Sequence, residues 1–175
     1  GIDSDNINEE DIDEDNFFKA IISFDGASNR LELICKNLNS IAYKDFAHSP
    51  SKVLATASAV RSQNSDKKIV ACLELHTYSS LNINFIKQYK NALNPADEAI
   101  IFYSKKALKL KGMKDLIDNE IKTAFNHKNL TVINNNKDLI NYLSSLEYFN
   151  LALLMMSSGK FEGLDLGIIN DFMKK

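Results

Sequence analysis

The sequence predicts a three-layer α/β/α sandwich, with helices on both faces of a mainly parallel sheet. Three observations carry this. Apolar stretches of strand length alternate with longer stretches whose apolar residues recur at helical spacing, the pattern of β-α-β crossovers. The runs at residues 68–73 and 151–156 are almost wholly apolar, as strands covered on both faces must be. With 175 residues, 45% hydrophobic and 25% charged, the chain has the size and composition of one soluble domain with a sizeable core.

Taken in order, residues 10–24 read as a helix with Ile12, Phe17, Ala20, Ile21 and Phe24 on one side, ended by Gly26. Residues 31–35 and 41–46 are short strands joined by the turn-forming Asn37-Leu38-Asn39-Ser40. Ser49 and Pro50 suit the N-cap and first position of a helix reaching about residue 62. After the loop Asn64-Ser65-Asp66 comes the buried strand at 68–73. Residues 81–93 form an amphipathic helix with Ile83, Ile86, Tyr89, Ala92 and Leu93 on one side, broken at Pro95. Residues 98–103 are the next strand, 105–114 fit neither pattern, and 115–125 are a helix. A short strand at 130–133, a helix at 136–146 and a strand at 151–156 follow. A loop with two glycines at 157–163 leads to a last helix at 167–174. The sheet so assembled is Rossmann-like.

Charge is unevenly spread. Residues 1–15 hold eight acidic and no basic side chains, which leaves residues 16–175 with a net charge of +6 against −2 for the whole. The acidic segment reads as a solvated, partly disordered stretch. The basic body suits phosphate-bearing ligands. It does not predict nucleic-acid binding, because the basic residues are dispersed and do not interleave with aromatics on a strand. No run approaches the roughly 18 apolar residues that span a bilayer, and no signal-peptide pattern is present, so a cytoplasmic location is expected and no membrane contact. Cys35 and Cys72 lie in apolar strands and read as small buried hydrophobes rather than a disulfide. Three histidines and two distant cysteines make no zinc site, so no metal ligands are expected. No Gly-x-Gly-x-x-Gly follows a strand, which disfavours a dinucleotide oxidoreductase.

The chemistry-bearing residues concentrate at strand-to-helix junctions. Asp45-Phe46-Ala47-His48-Ser49-Pro50 and Glu74-Leu75-His76-Thr77-Tyr78-Ser79 each place one histidine among small polar residues at a strand exit. In open α/β sheets ligands bind outside the carboxyl ends of the strands, where helix N-termini favour anions. The two junctions point to one composite site. Ser157, Ser158 and Gly159 follow the last long strand, where backbone N–H groups suit a carboxylate. Lys52 in the first turn of its helix is unfavourable there unless an anion offsets it. His127, in a polar stretch, reads as exposed and without a role, and Met155-Met156 as core.

Over residues 24–166 these segments, in order, resemble the C-terminal domain of the Mur ligases, ATP-dependent amide-forming enzymes of peptidoglycan synthesis. Phe24-Asp25-Gly26 with Arg30-Leu31-Glu32 resembles the join from the family's central domain. Asp45-Phe46-Ala47-His48-Ser49-Pro50 resembles its Asp-aromatic-small-His-x-Pro segment, and His76-Thr77-Tyr78-Ser79 its His-x-Tyr-Ser segment. Ala96-Asp97-Glu98 before a strand and Met155-Met156-Ser157-Ser158-Gly159 after one fit the same order.

The resemblance implies a division into residues 1–27, an acidic segment and helix from the end of a central domain, and residues 28–175, the C-terminal α/β domain. It implies a domain that closes over nucleotide and substrate while an acyl phosphate forms on UDP-N-acetylmuramate and is attacked by an amine. ATP and Mg2+ are then cofactors of the larger enzyme, and its N-terminal and central domains are the partners. Asp45, His48, His76, Thr77, Ser79, Ser80, Ser157, Ser158 and Gly159 become the substrate- or nucleotide-binding set, with no catalytic residue in this chain alone. Gly159-Lys160-Phe161-Glu162-Gly163 lacks the Gly-Lys-Ser/Thr ending of a phosphate-cradling loop, so the chain by itself is expected to be inactive and to hold no cofactor tightly. The branch resembled attaches either L-alanine or the L-alanyl-γ-D-glutamyl-diaminopimelate tripeptide. The L-alanine branch carries a second histidine at the place of Ser49 and an arginine at the place of Ser80. Losing that guanidinium clamp tilts the expectation to the tripeptide. A non-catalytic α/β ligand-binding module stays open as an alternative.

Overall fold

The computed structural model describes residues 31–175; the acidic segment, the helix expected at 10–24 and the domain boundary expected near residue 27 lie outside the described residues. Six strands, β1 (Glu32–Lys36), β2 (Ile41–Asp45), β3 (Lys68–Glu74), β4 (Glu98–Phe102), β5 (Leu130–Ile133) and β6 (Leu151–Met156), form one sheet in the order β1-β2-β6-β3-β4-β5. β1 is antiparallel to β2, as the short Asn37–Ser40 turn requires, and every other pair is parallel.

The helices are α1 (Pro50–Gln63), α2 (Ile83–Ile86), α3 (Lys105–Leu110), α4 (Asp118–Phe125), α5 (Asn136–Ser145) and α6 (Ile168–Phe172). Along β3, Ile69, Ala71 and Leu73 face a core built with Val53, Ala57 and Val60 of α1, Ile86 of α2 and Ile121 and Phe125 of α4. Val70 and Cys72 face the opposite core, with Leu139 and Leu143 of α5 and Ile169 and Phe172 of α6. The period of two along one strand thus feeds two helical layers, and the expected three-layer α/β/α sandwich is what forms. Met155 and Met156 are fully buried core residues. Cys72 is buried and Cys35 only half-buried, and both are free thiols. Burial, with the charge of Glu74 second, pushes the Cys72 thiol up.

Several elements differ from their sequence-based expectations. The helix expected at 81–93 is a single α turn, Ile83–Ile86, tightening to a 3-10 turn at Lys87–Tyr89. Tertiary bonds override the periodicity: Asn91 turns left-handed (φ 64°) and its N–H donates to the Phe125 carbonyl at 2.9 Å. Tyr89 stacks on Phe125 at 5.2 Å, so the apolar side is buried without the helix. Residues 105–114 resolve into α3, capped by Ser104 Oγ accepting from Ala107 N–H at 3.0 Å and ended by Gly112 at φ 64°. α4 begins at Asp118 because Met113 and Leu116 pack on the core as extended chain. Ser49 occupies the N-cap position with Pro50 after it, but its side chain makes no capping bond. The last helix is Ile168–Phe172.

One feature of the topology places the site. β2 and β3 run on into helices packed on one face, whereas β6, lying between them, leads to α6 on the other. Connections that part to opposite faces open a crevice at the carboxyl ends of the strands.

Candidate functional site

At the exit of β2, Asp45 Oδ1 accepts from the Ala47 N–H at 2.7 Å and from Thr56 Oγ1 at 3.3 Å. Desolvation nonetheless leaves its carboxyl above the usual carboxylate range, those bonds opposing the rise. His48 directs Nδ1 to the Phe46 carbonyl at 3.0 Å; a carbonyl only accepts, so Nδ1 carries the hydrogen. The two rings meet edge-on at 5.3 Å. The Tyr89 hydroxyl donates to the His48 carbonyl, and burial pushes that phenol up to about 12.

The exits of β3 and β6 are joined by Glu74, the last residue of β3, which is only 3% exposed. Its Oε2 accepts from the Ser157 hydroxyl and from the Phe161 N–H at 2.9 Å. Ser157 in turn accepts from the Gly159 N–H at 2.7 Å, and its own N–H donates to the Asp45 carbonyl at 3.0 Å. On the other side of the carboxylate, His76 Nδ1 stands 3.9 Å from Glu74 Oε1. Gly159 fits between them because it lacks a side chain: a Cβ there would lie 2.7 Å from His76 Cγ and 2.9 Å from Glu74 Oε2. Phe161, Glu162 and Gly163 follow with positive φ (47°, 56° and 85°), a tight reversal held by Ser104 Oγ donating to Glu162 Oε1 at 2.9 Å.

A pocket of about 580 Å3 opens beside this network, within the size range of small-molecule sites. Asp45, Phe46, Ser157, Gly159, Lys160 and Asp165 are among its lining residues. Of the expected site residues the fold therefore brings Asp45, Ser157 and Gly159 to one pocket and sets His76 against the back of Gly159. Thr77 and Ser80 are tied to each other instead. The Ser80 hydroxyl accepts from the Thr77 N–H at 3.0 Å and donates to its carbonyl at 3.1 Å, and Ser80 is 2% exposed. Ser79 is exposed beside them, His48 lies outside the pocket lining, and Ser158 Oγ is buried without a partner.

Sequence reasoning missed Glu74 as a site residue. The available signal was its register: it shares the inward face of Val70 and Cys72, and a carboxylate on such a face requires partners. His127 is not the exposed residue expected. It is half-buried, its Nδ1 accepts from the Asn129 N–H at 3.1 Å and its Nε2 bonds the Ala96 carbonyl at 2.9 Å. Asp97 lies at the opposite end of the sheet, where its Oδ2 takes the Ile69 N–H at 2.7 Å and Arg61 at 2.5 Å, a structural tie. Among the described residues no three carboxylate, imidazole or thiolate groups gather as metal ligands, and no helix is long and apolar enough to cross a membrane.

No family model matches the chain. The UDP-N-acetylmuramate–L-alanine ligase of Brachyspira hyodysenteriae is 25% identical over 156 residues, covering 87% of this chain and 32% of that protein. Among solved structures, a murein peptide ligase of Psychrobacter arcticus matches with a TM-score of 0.66 at 19% identity, over 90% of this chain and 32% of the other. A domain assigned to a UDP-N-acetylmuramate:L-alanyl-γ-D-glutamyl-meso-diaminopimelate ligase of Haemophilus ducreyi matches with a TM-score of 0.55 at 22% identity, over 83% of this chain and 98% of that domain. The chain spans a third or less of the length of the curated relatives it matches, from 11% to 32% in the first three.

Proposed function

We propose that this chain, whose homologues are Mur ligases and whose fold is that of their C-terminal domain, is the substrate-closing domain of an ATP-dependent muramoyl-peptide ligase. In this reading residues 28–175 form the domain and residues 1–27 the end of a central domain in the same polypeptide. The muramoyl carboxylate of UDP-N-acetylmuramate takes the terminal phosphoryl group of ATP, releasing ADP. The amine of the incoming L-alanyl-γ-D-glutamyl-diaminopimelate tripeptide then attacks the carbonyl carbon, expels phosphate and gives up a proton. The work of this domain is orientation and exclusion of water. The phosphate-cradling loop and the ligands of a magnesium ion are assigned to the central domain, since the described residues offer neither. Binding of nucleotide by this chain alone is expected to be weak.

The observation that carries the reading is the convergence of Asp45, Ser157 and Gly159, from two separate motifs of the resemblance, on one pocket at the carboxyl ends of β2 and β6. Asp45 suits an ammonium or ribose hydroxyl, and the Lys160 ammonium suits a carboxylate, while the Ser157 and Gly159 N–H groups are spent on Asp45 and Ser157 within the network. Ser80 bonds only within the turn with Thr77 and supplies no guanidinium clamp, in keeping with the departure from the L-alanine branch. That favours the tripeptide over L-alanine as substrate. The second reading, an L-alanine ligase domain, draws its support from the curated relatives that carry that name.

The test is phosphate release by the full-length polypeptide, given ATP and UDP-N-acetylmuramate with either amine. Release with the tripeptide supports the proposal, and release only with L-alanine selects the second reading. Release with neither, from a folded protein, makes the chain a non-catalytic ligand-binding module.

A further inference from the structure

Glu74 is a charged side chain in one of the driest places in the molecule, and taking a carboxylate out of water carries a desolvation cost of several kcal/mol. The two donors on Oε2, the Ser157 hydroxyl and the Phe161 N–H, offset part of that cost. Among the described residues Oε1 makes no hydrogen bond, and the imidazole beside it is that of His76, with Nδ1 at 3.9 Å. His76 makes none either, although both of its ring nitrogens are hydrogen-bonding groups. The gap to the ~2.9 Å of an N–H···O bond closes by rotation of a side chain that is 44% exposed and so free to turn. A Cβ at Gly159 would lie 2.7 Å from His76 Cγ and 2.9 Å from Glu74 Oε2, so the bare glycine leaves the imidazole and the carboxylate room to meet.

We infer that Glu74 is a positioning residue, holding His76 with Nδ1–H turned to the buried carboxylate and Nε2 facing the crevice as a hydrogen-bond acceptor. The ligand group this selects is a donor, such as an amine, and not a phosphate oxygen. That the donor is the substrate amine rests on the function proposed above; the state of the imidazole does not. The same carboxylate oxygen pair then couples His76 to the Ser157–Phe161 loop, so the two strand exits move as one unit.

The test is a long-range 1H–15N correlation spectrum of the 15N-labelled chain at about pH 9, above the ordinary histidine range near 6.5. Two internal standards are present. His48 must appear as the Nδ1–H tautomer, and His127, whose Nδ1 accepts from a backbone N–H, as the Nε2–H tautomer. His76 is expected as Nδ1–H, in about tenfold excess over the other form, the ratio a single charge-assisted bond sustains. Glu74→Gln should turn it to Nε2–H, because the amide oxygen stays with Ser157 and Phe161 and its NH2 then faces Nδ1. An Nε2–H signal for His76 in the unsubstituted chain overturns the inference whether or not the variant folds. A folded Glu74→Gln protein that keeps Nδ1–H overturns it as well.

Discussion

The exits of β2 and β3 each present a histidine to the same edge of the sheet, but they are assembled from different kinds of contact. At the β2 exit the shortest bonds of Asp45 Oδ1 and His48 Nδ1 join residues two positions apart, and the longer one from Thr56 to Asp45 spans only eleven. At the β3 exit Glu74 is bonded to residues 83 and 87 positions away. A turn made of neighbours can form and fray by itself, whereas a clamp between distant strands exists only when the whole sheet does. The difference predicts a gradient of effects, in stability and in function.

The steepest effect belongs to Glu74. Glu74→Ala strands the Ser157 hydroxyl and the Phe161 N–H in a dry site and should cost about 2–4 kcal/mol in denaturant unfolding. A loss below about 1 kcal/mol would mean that the network is ornamental. Gly159→Ala comes next. Its methyl group must displace His76 or Glu74, for roughly 1–2 kcal/mol, with amide shifts concentrated at residues 74–76 and 157–161. Shifts spread evenly over the sheet would speak against the close approach. Tyr89→Phe removes the bond to the His48 carbonyl and should cost about 1 kcal/mol.

The smallest effect is expected at Asp45, and it reverses sign. A carboxyl raised above its unfolded range contributes stability that is fully present at low pH and is lost as pH rises through the folded value. Asp45→Asn should therefore be at least as stable as the parent chain at pH 7, the difference shrinking as pH falls through the raised folded range towards the ordinary carboxylate range. Such an outcome would fit a carboxyl that lines the pocket in order to meet a ligand. A variant less stable at pH 7 by about 1 kcal/mol or more would make Asp45 a structural residue.

The same contrast explains what could be read in advance. The Asp-x-Ala-His-x-Pro turn and the alternation of apolar runs are local signals, and they located β2, α1, β3 and the pocket residues Asp45, Ser157 and Gly159. The clamp was not legible, because nothing near Glu74 announces a serine on the far side of the chain that folds beside it. The helix expected at 81–93 failed for a related reason. Its apolar side is buried as predicted, but by the stacking of Tyr89 on Phe125 and the left-handed turn at Asn91, both set by distant partners. Asp97 shows the converse: a segment of the family resemblance that lies at the other end of the sheet from the pocket and serves as a structural tie.

The most direct measurement compares His76→Ala with His48→Ala in the full-length polypeptide, by phosphate release with ATP, UDP-N-acetylmuramate and the tripeptide. A fall of about tenfold or more in kcat/KM is expected for His76→Ala, the equivalent of one lost charge-assisted bond. For His48→Ala a change within about threefold is expected, as for a residue whose ring bond is spent on its own turn. An equal loss for both, a larger loss for His48→Ala, or no ligation by the unsubstituted protein would contradict these expectations.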